Sequence, residues 1–556
     1  MLKRLLKYTG SIVLAALFLQ GHAQSVTNPI LAGFYPDPSI CRAGNNYYLV
    51  NSTFAYYPGL PVFHSRDLLN WELIGHAMER PEQLDLEGAG VSRGLFAPAI
   101  SYHNGLFYIV CTEVSKLGNF VITAKDPAGP WSNPVKLPQV NGIDPSLFFD
   151  EDGKAYLVYN SIPPDNKPLH DGHRTIRIRG FDPVSLQVTG EEQIIVNGGT
   201  DMTKKPVWIE GPHIYKKDGW YILMCAEGGT GYNHSEVVFR SRSVGGPYTP
   251  WEKNPILTQR QLDPGRKDPV TTTGHADLVQ DPQGNWWGIF LGCRPYEGDY
   301  YNTGRETFMA PVIWKEGWPV FDLGGESVKY QYSIAAEIKK TGNEFNGNYT
   351  FRDDFNSGSL NPRYSFLRTV KEKWYQLADP PGALTIKVRP ETCSGTSNPS
   401  FVGFRQPHLE GSVSLALQFD PAHAKEQAGL LLFQNEKHYY FLSQSVQEGM
   451  PVVQLWKSDS LVKELRVKKK KGANLYLKAV AKGSTYDFYV AVKPGQWKTL
   501  ATGLDGKFLS TKTAGGFVGT FYAMYASSNG QSSGKTARFE WFECVNDDAV
   551  YKNSGQ

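Results

Sequence analysis

The sequence predicts an all-β protein, a five-bladed β-propeller followed by a β-sandwich. Three observations predict it. One phrase recurs five times between residues 28 and 322, and long helical periodicity is missing there. The composition is 13% aromatic, with 56 glycines and 36 prolines among 556 residues. A chain of this length exceeds what one hydrophobic core serves, so two or more domains are expected. Aromatic and turn-forming residues together favour β architecture, and aromatic faces also suit carbohydrate.

Residues 1–23 read as a secretory signal that directs export. Lys3, Arg4 and Lys7 form a basic start, Ile12 to Leu19 an apolar run too short to span a bilayer, and Gly21-His22-Ala23 a small-x-small cleavage site. No cysteine follows the cut, which argues against a lipid anchor there. Removing the segment takes three positive charges from a net charge of +3, leaving a near-neutral chain. No nucleic-acid partner and no membrane insertion are expected from that balance. The cysteines, Cys41, Cys111, Cys225, Cys293, Cys393 and Cys544, are singly spaced without a Cys-x-x-Cys pair, and read as small buried hydrophobes.

The recurring phrase is an aliphatic residue, a turn ending in glycine, and an aromatic-led apolar strand. The aliphatics are Ile40, Ile100, Leu147, Ile214 and Leu278, and the glycines are Gly44, Gly105, Gly153, Gly219 and Gly284. Each copy predicts a β-hairpin. Further apolar segments follow, such as Val62-Phe63-His64-Ser65 and Val237-Val238-Phe239-Arg240, which brings each unit to about four strands, the content of a propeller blade.

The phase of the repeat carries the functional argument. Three residues before each aliphatic stand Asp37, Ala97, Asp144, Gly211 and His275, with Glu210 one position further back in the fourth copy. The first strand of every blade lines the propeller axis, so these positions converge. Carboxylates are rarely buried without a partner or a task. Taken singly, Asp37 and Asp144 could cap turns, Glu210 could pair with Arg305, and Arg305 could pair with Glu306. Proline after Asp37 predicts extended backbone at the aspartate.

Pro36-Asp37-Pro38-Ser39, Ile143-Asp144-Pro145-Ser146 and Glu210-Gly211-Pro212-His213 resemble the three signature motifs of glycoside hydrolase family 43. Gly274-His275-Ala276-Asp277 and Gly304-Arg305-Glu306-Thr307 resemble two further motifs of its β-xylosidase and α-L-arabinofuranosidase branch. The resemblance implies an inverting mechanism with Asp37 as general base, Glu210 as general acid and Asp144 as the group that orients the acid and tunes its pKa. Such chemistry needs one carboxyl with a raised pKa and another that stays ionised, with room for water between them. No cofactor is required. The resemblance also places His275 beside a structural calcium on the axis, with a hydrogen-bonded core histidine as the equal alternative. Arg305 is the expected donor to sugar hydroxyls or to the acid. Phe54 resembles the aromatic wall of the sugar pocket. Phe96-Ala97-Pro98 stands where related β-xylosidases often have Trp-Ala-Pro, which puts the pocket's shape in question and tilts the sugar towards arabinofuranose.

Residues 323–350 read as a polar connector. From Phe351 the alternation resumes, as in Gly429-Leu430-Leu431-Leu432-Phe433 and Ala537-Arg538-Phe539-Glu540-Trp541-Phe542, and predicts a β-sandwich over 351–546. The resemblance makes it concanavalin-like, with an edge that can wall off the propeller pocket. Lys468 to Lys471, before Gly472, read as a solvated hairpin turn. Gly530-Gln531-Ser532-Ser533-Gly534 fits an esterase elbow but has no helix behind it, so it reads as a loop.

The expectation is an exported exo-glycosidase that removes α-L-arabinofuranosyl or β-D-xylosyl units from hemicellulose oligosaccharides. The alternative is a non-catalytic carbohydrate-binding propeller.

Overall fold

The computed structural model describes residues 24–334, 344–377 and 381–552; the expected signal segment, 1–23, lies outside the described residues. Five antiparallel sheets follow one another along the chain, four of them four-stranded and the fourth with a fifth short strand. They open with the inner strands Ser39–Ala43, Ala99–His103, Ile143–Phe149, Glu210–Lys217 and Thr271–Gln280. Each inner strand turns back through the glycine of the repeated phrase, and all five glycines have positive φ, from 62° to 88°. The repeated aliphatics belong to core clusters that span the seams between blades: Ile40 with Leu49 and Ile289, Ile214 with Val158 and Leu223, and Leu278 with Met224 and Phe290.

Each blade is built from consecutive strands, so side chains close the ring. Asp277 of the fifth blade accepts from Ser39 Oγ (2.7 Å) and the Ile40 N–H (2.8 Å) of the first, and from the Tyr215 hydroxyl (2.6 Å) of the fourth. A small clasp reinforces the closure: Gln24–Thr27 pairs antiparallel with Gln331–Ile334. That second strand lies in the stretch expected as a connector. Four residues are too short an alternation to reveal a strand in sequence.

The C-terminal part is a sandwich. One sheet carries Thr536–Asn546, Glu410–Gln418, Leu475–Lys482, Thr485–Ala491 and Lys498–Asp505 among its strands. The other runs in the order Ser400–Arg405, Phe521–Ser527, Gln427–Asn435, His438–Gln447, Met450–Lys457 and Ser460–Arg466. The basic run at Lys468 is not a hairpin turn. It crosses from Ser460–Arg466 in one sheet to Leu475–Lys482 in the other, tied down by Lys469 Nζ on the Ala473 carbonyl (2.7 Å). Residues 530–534 are loop. None of the cysteines is in a disulfide, and all but the half-buried Cys41 are buried. Among the described residues no helix is long and apolar enough to cross a membrane.

Sandwich and propeller share structure. Tyr56–Tyr57 of the first blade pairs with Phe366–Leu367. Arg294, 2% exposed, binds Glu306 (2.6 and 2.8 Å), Asp548 (2.8 Å) and the Pro407 carbonyl (2.8 Å). Gly304 meets Gly519 so closely that a Cβ on Gly304 would lie 2.8 Å from the Gly519 Cα. This contact sits one residue from Arg305 and thereby couples the docking of the sandwich to the axis.

Candidate active site

Four of the five inner strands share one kink at the same phase of the repeat. Asp37, Asp144, Gly211 and His275 have φ of 51°, 52°, 57° and 54°. In three of these strands the pairing with the second strand skips there, between Ile143 and Ser146, Glu210 and His213, and Gly274 and Asp277. Such bulges re-aim a side chain, here onto the axis, and the following Pro145 and Pro212 have no N–H to leave unpaired. The extended backbone expected at Asp37 is therefore not what forms. A left-handed non-glycine residue costs roughly 1–3 kcal/mol and persists where its surroundings hold it. Ser52 Oγ (2.5 Å) and Arg305 (2.5 and 3.3 Å) clamp the Asp37 carboxylate in place. In the fourth blade the kink falls on Gly211 and the acid precedes it. A Cβ on Gly211 would lie 2.8 Å from His275 Nε2, so glycine is needed for space as well as for φ.

The kinks deliver Asp37, Asp144, Glu210 and His275 to one cavity of about 360 Å³, which Arg305, Phe54 and Phe96 also line. All seven residues singled out in the sequence thus meet there. The reading of Arg305 as a partner of Glu210 or Glu306 does not hold: it pairs with Asp37, while Glu306 is taken by Arg294. Trp208, Thr230 and Phe517 complete the wall. Phe517 comes from the sandwich, stacks on Phe54 (5.7 Å between ring centroids) and meets Phe96 edge-on (6.1 Å).

The acids differ in electrostatics. Burial pushes the Asp37 carboxyl up, but the Arg305 guanidinium, His275 and the Ser52 hydroxyl outweigh it and hold the group below its ordinary value. Glu210 is pushed well above its ordinary value by burial, then by the charges of Asp144 and Asp37, with Arg305 and Arg174 opposing. Asp144 is raised to about 7 by burial and by Asp37, opposed by the Gly211 N–H, Arg305 and Arg174. The site therefore pairs an Asp37 held towards its ionised form with a Glu210 held towards its protonated form. That is the division of labour a general base and a general acid need.

The sequence was compared with known proteins. The model of glycosyl hydrolases family 43 matches residues 26–319, and that of the β-xylosidase C-terminal concanavalin A-like domain matches 352–544. The chain belongs to glycoside hydrolase family 43. It is 40% identical to a xylosidase/arabinosidase of Butyrivibrio fibrisolvens over 93% of this chain and 98% of that one. It is 37% identical to a non-reducing end α-L-arabinofuranosidase of Bacteroides ovatus, over 93% and 94%. A family-43 structure retrieved from a capybara gut metagenome superposes with a TM-score of 0.85 at 42% identity, covering 91% of this chain and 95% of that one. This family-43 chain is an enzyme, a glycoside hydrolase, and the reading as a non-catalytic propeller is set aside.

Burial lowers the His275 pKa to about 4, so the imidazole is neutral near neutral pH and its contact with Asp37 (4.0 Å) is not an ion pair. Among the described residues no group of three or more His, Cys, Asp or Glu could hold a metal ion. His275 is in no such group. Trp208 stands two residues before Glu210, and its position could have been read from the motif. Phe517 could not, because no signal within its own segment says which face of the propeller it meets.

Proposed function

We propose that this glycoside hydrolase is an inverting exo-enzyme that releases terminal α-L-arabinofuranosyl or β-D-xylosyl units from hemicellulose oligosaccharides. The observation that carries this is the pairing of a depressed Asp37 with a raised Glu210 in one small cavity. Glu210 protonates the glycosidic oxygen, Asp37 takes a proton from the attacking water, and Asp144 keeps Glu210 protonated through its charge. Arg305 keeps Asp37 ionised. Phe517 of the sandwich adds its ring to the propeller's Phe54 and Phe96 in the cavity wall, which favours a chain end over a passing polymer. Phe96 gives a smaller wall than tryptophan, which favours arabinofuranose, and the Bacteroides ovatus relative is named for that sugar.

A calcium ion on the axis, with His275 as its one protein ligand, would add fixed positive charge beside the acids; loss of thermal stability on chelation tests it. Export is part of the proposal, and mass spectrometry of the mature chain should find Gln24 at its N-terminus. The function itself is tested with aryl α-L-arabinofuranoside and aryl β-D-xyloside. Turnover of at least one is expected, with the anomer inverted by NMR. Glu210→Gln should lose about 10²–10⁴-fold on substrates with poor leaving groups. Retention of configuration, or a fully active Glu210→Gln, would overturn the assignment.

A further inference from the structure

The third blade carries two loops that hold one another. Residues 162–174 join its second and third strands, and residues 198–209 lead to Glu210. The Trp208 N–H donates to the Gly172 carbonyl (2.8 Å), the Gly198 N–H to the Arg174 carbonyl (2.9 Å), and His170 Nε2 meets the Pro206 carbonyl (2.6 Å). Buried His173 reaches Asn197 Oδ1 (2.8 Å). A Cβ on Gly172 would lie 2.7 Å from Val207, so the loops touch through glycine. This is a fixed platform.

Trp208 is held on it with φ of 52° and turns its ring into the cavity wall. The Arg174 guanidinium lies over that ring, 3.8 Å from its centroid. It is half-buried, yet among the described residues its guanidinium N–H groups have no hydrogen-bond partner and no carboxylate stands within ion-pair distance. Stacking on an aromatic face fixes a guanidinium plane and leaves its donor edge free. A donor fork held rigid, partly desolvated and unpaired is built for an acceptor from outside the chain.

We propose that Arg174, laid on Trp208, binds the sugar unit on the leaving-group side of the scissile bond. The inference rests on the acid role proposed for Glu210. A general acid stands at the glycosidic oxygen, so the groups flanking it away from Asp37 meet the unit that departs. Trp208 lines the cavity two residues before Glu210 and carries Arg174, whereas Phe54 and Phe517 lie with Arg305, the partner of Asp37. The charge of Arg174 also reaches Glu210 and Asp144. A sugar fits the pair chemically: adjacent hydroxyls accept from the fork, and a C–H face packs on the indole.

The test compares one terminal sugar on two leaving groups, 4-nitrophenol and a hemicellulose oligosaccharide. Hydrogen bonds to a charged group are worth about 1.5–3 kcal/mol, so Arg174→Ala should raise KM for the oligosaccharide about tenfold or more. On the aryl glycoside the loss should stay within about threefold, because only the electrostatic influence on Glu210 changes. Arg174→Lys should recover part of the loss, and Lys167→Ala, exposed on the same loop, should leave both substrates unchanged. Equal losses on both substrates, or none on the oligosaccharide, would overturn the inference while the glycosidase reading stands. A wild type inert on aryl glycosides of both sugars would remove that reading, and this inference with it.

Discussion

Replacing Arg305 by alanine isolates what keeps Asp37 ionised. Both side chains are shut off from water, and the guanidinium binds both carboxylate oxygens (2.5 and 3.3 Å). Asp144 is the internal comparison. It is similarly buried, no guanidinium touches it, and its carboxyl rises from an ordinary 3.8 to about 7. Without Arg305, Asp37 would keep the Ser52 hydroxyl and a neutral imidazole, and its situation would approach that of Asp144. Its carboxyl should then rise from below its ordinary value towards that of Asp144. Breaking a buried pair by removing one partner costs roughly 3–5 kcal/mol.

The sign follows from the role of the base. Asp37 must be ionised to accept a proton, so raising its pKa moves the acid limb of the pH–rate profile upward. At pH 5 a base with a pKa near 7 is ionised about one time in a hundred, so kcat/KM there falls about a hundredfold beyond any loss seen at pH 8. Arg305 also lowers the Glu210 pKa, so the alkaline limb moves up too and the whole bell shifts. The assay is kcat/KM on an aryl glycoside from pH 4 to 9 for wild type, Arg305→Ala and Arg305→Lys, with folding checked by circular dichroism at each pH. The lysine variant should fall between the other two. A uniform loss at every pH, with the acid limb unmoved, would show that Arg305 serves substrate contact alone.

Two predictions concern the link between domains. Arg294→Met removes the guanidinium that buried Glu306 and Asp548 share, leaving Glu306 with the Gly33 N–H and the Thr303 hydroxyl and Asp548 with His408, and Tm should fall by about 10 °C. Asp548 is held at about 2: burial raises it, and His408 and Arg294 outweigh that. A depressed carboxylate stabilises the fold above its ordinary pKa, and this is lost as pH falls through about 2, so the acid-unfolding midpoint of Arg294→Met should move to higher pH. Gly304→Ala places a Cβ 2.8 Å from the Gly519 Cα, at a φ of 76°. It should lower Tm and reduce kcat together, because the same loop carries Arg305; an unchanged kcat would show that the loop relaxes without moving the guanidinium.

The five blades were legible because the repeat is local: an aliphatic, a glycine turn and an aromatic strand recur at one phase, and phase is preserved on folding. The same phase put Asp37, Asp144 and His275 on the axis without coordinates. Sequence could not supply the backbone sign at those positions. Proline after Asp37 argued for extension, and only the clamp of Ser52 and Arg305, the latter 268 residues away, reverses it. Phe517 and the Arg174–Trp208 stack were hidden for a related reason. Each depends on two segments meeting whose own patterns are those of ordinary loops, and nothing inside either segment encodes the meeting.

The division of roles among the acids comes from an asymmetry in their partners rather than from depth. Asp37, Asp144 and Glu210 are all below 9% exposed, so desolvation raises each of them. What differs is which acid the one axial guanidinium touches. Asp37 has that contact; Asp144 has a backbone N–H; Glu210 has the Thr230 hydroxyl at 3.5 Å, beyond the range of a strong bond. Ionised Asp37 then acts on the other two, because its charge is among the causes that raise both. One contact therefore bears on all three carboxyls. Swapping the partner, with Arg305 withdrawn and a cation placed beside Glu210, should invert the assignment of acid and base rather than merely weaken the site.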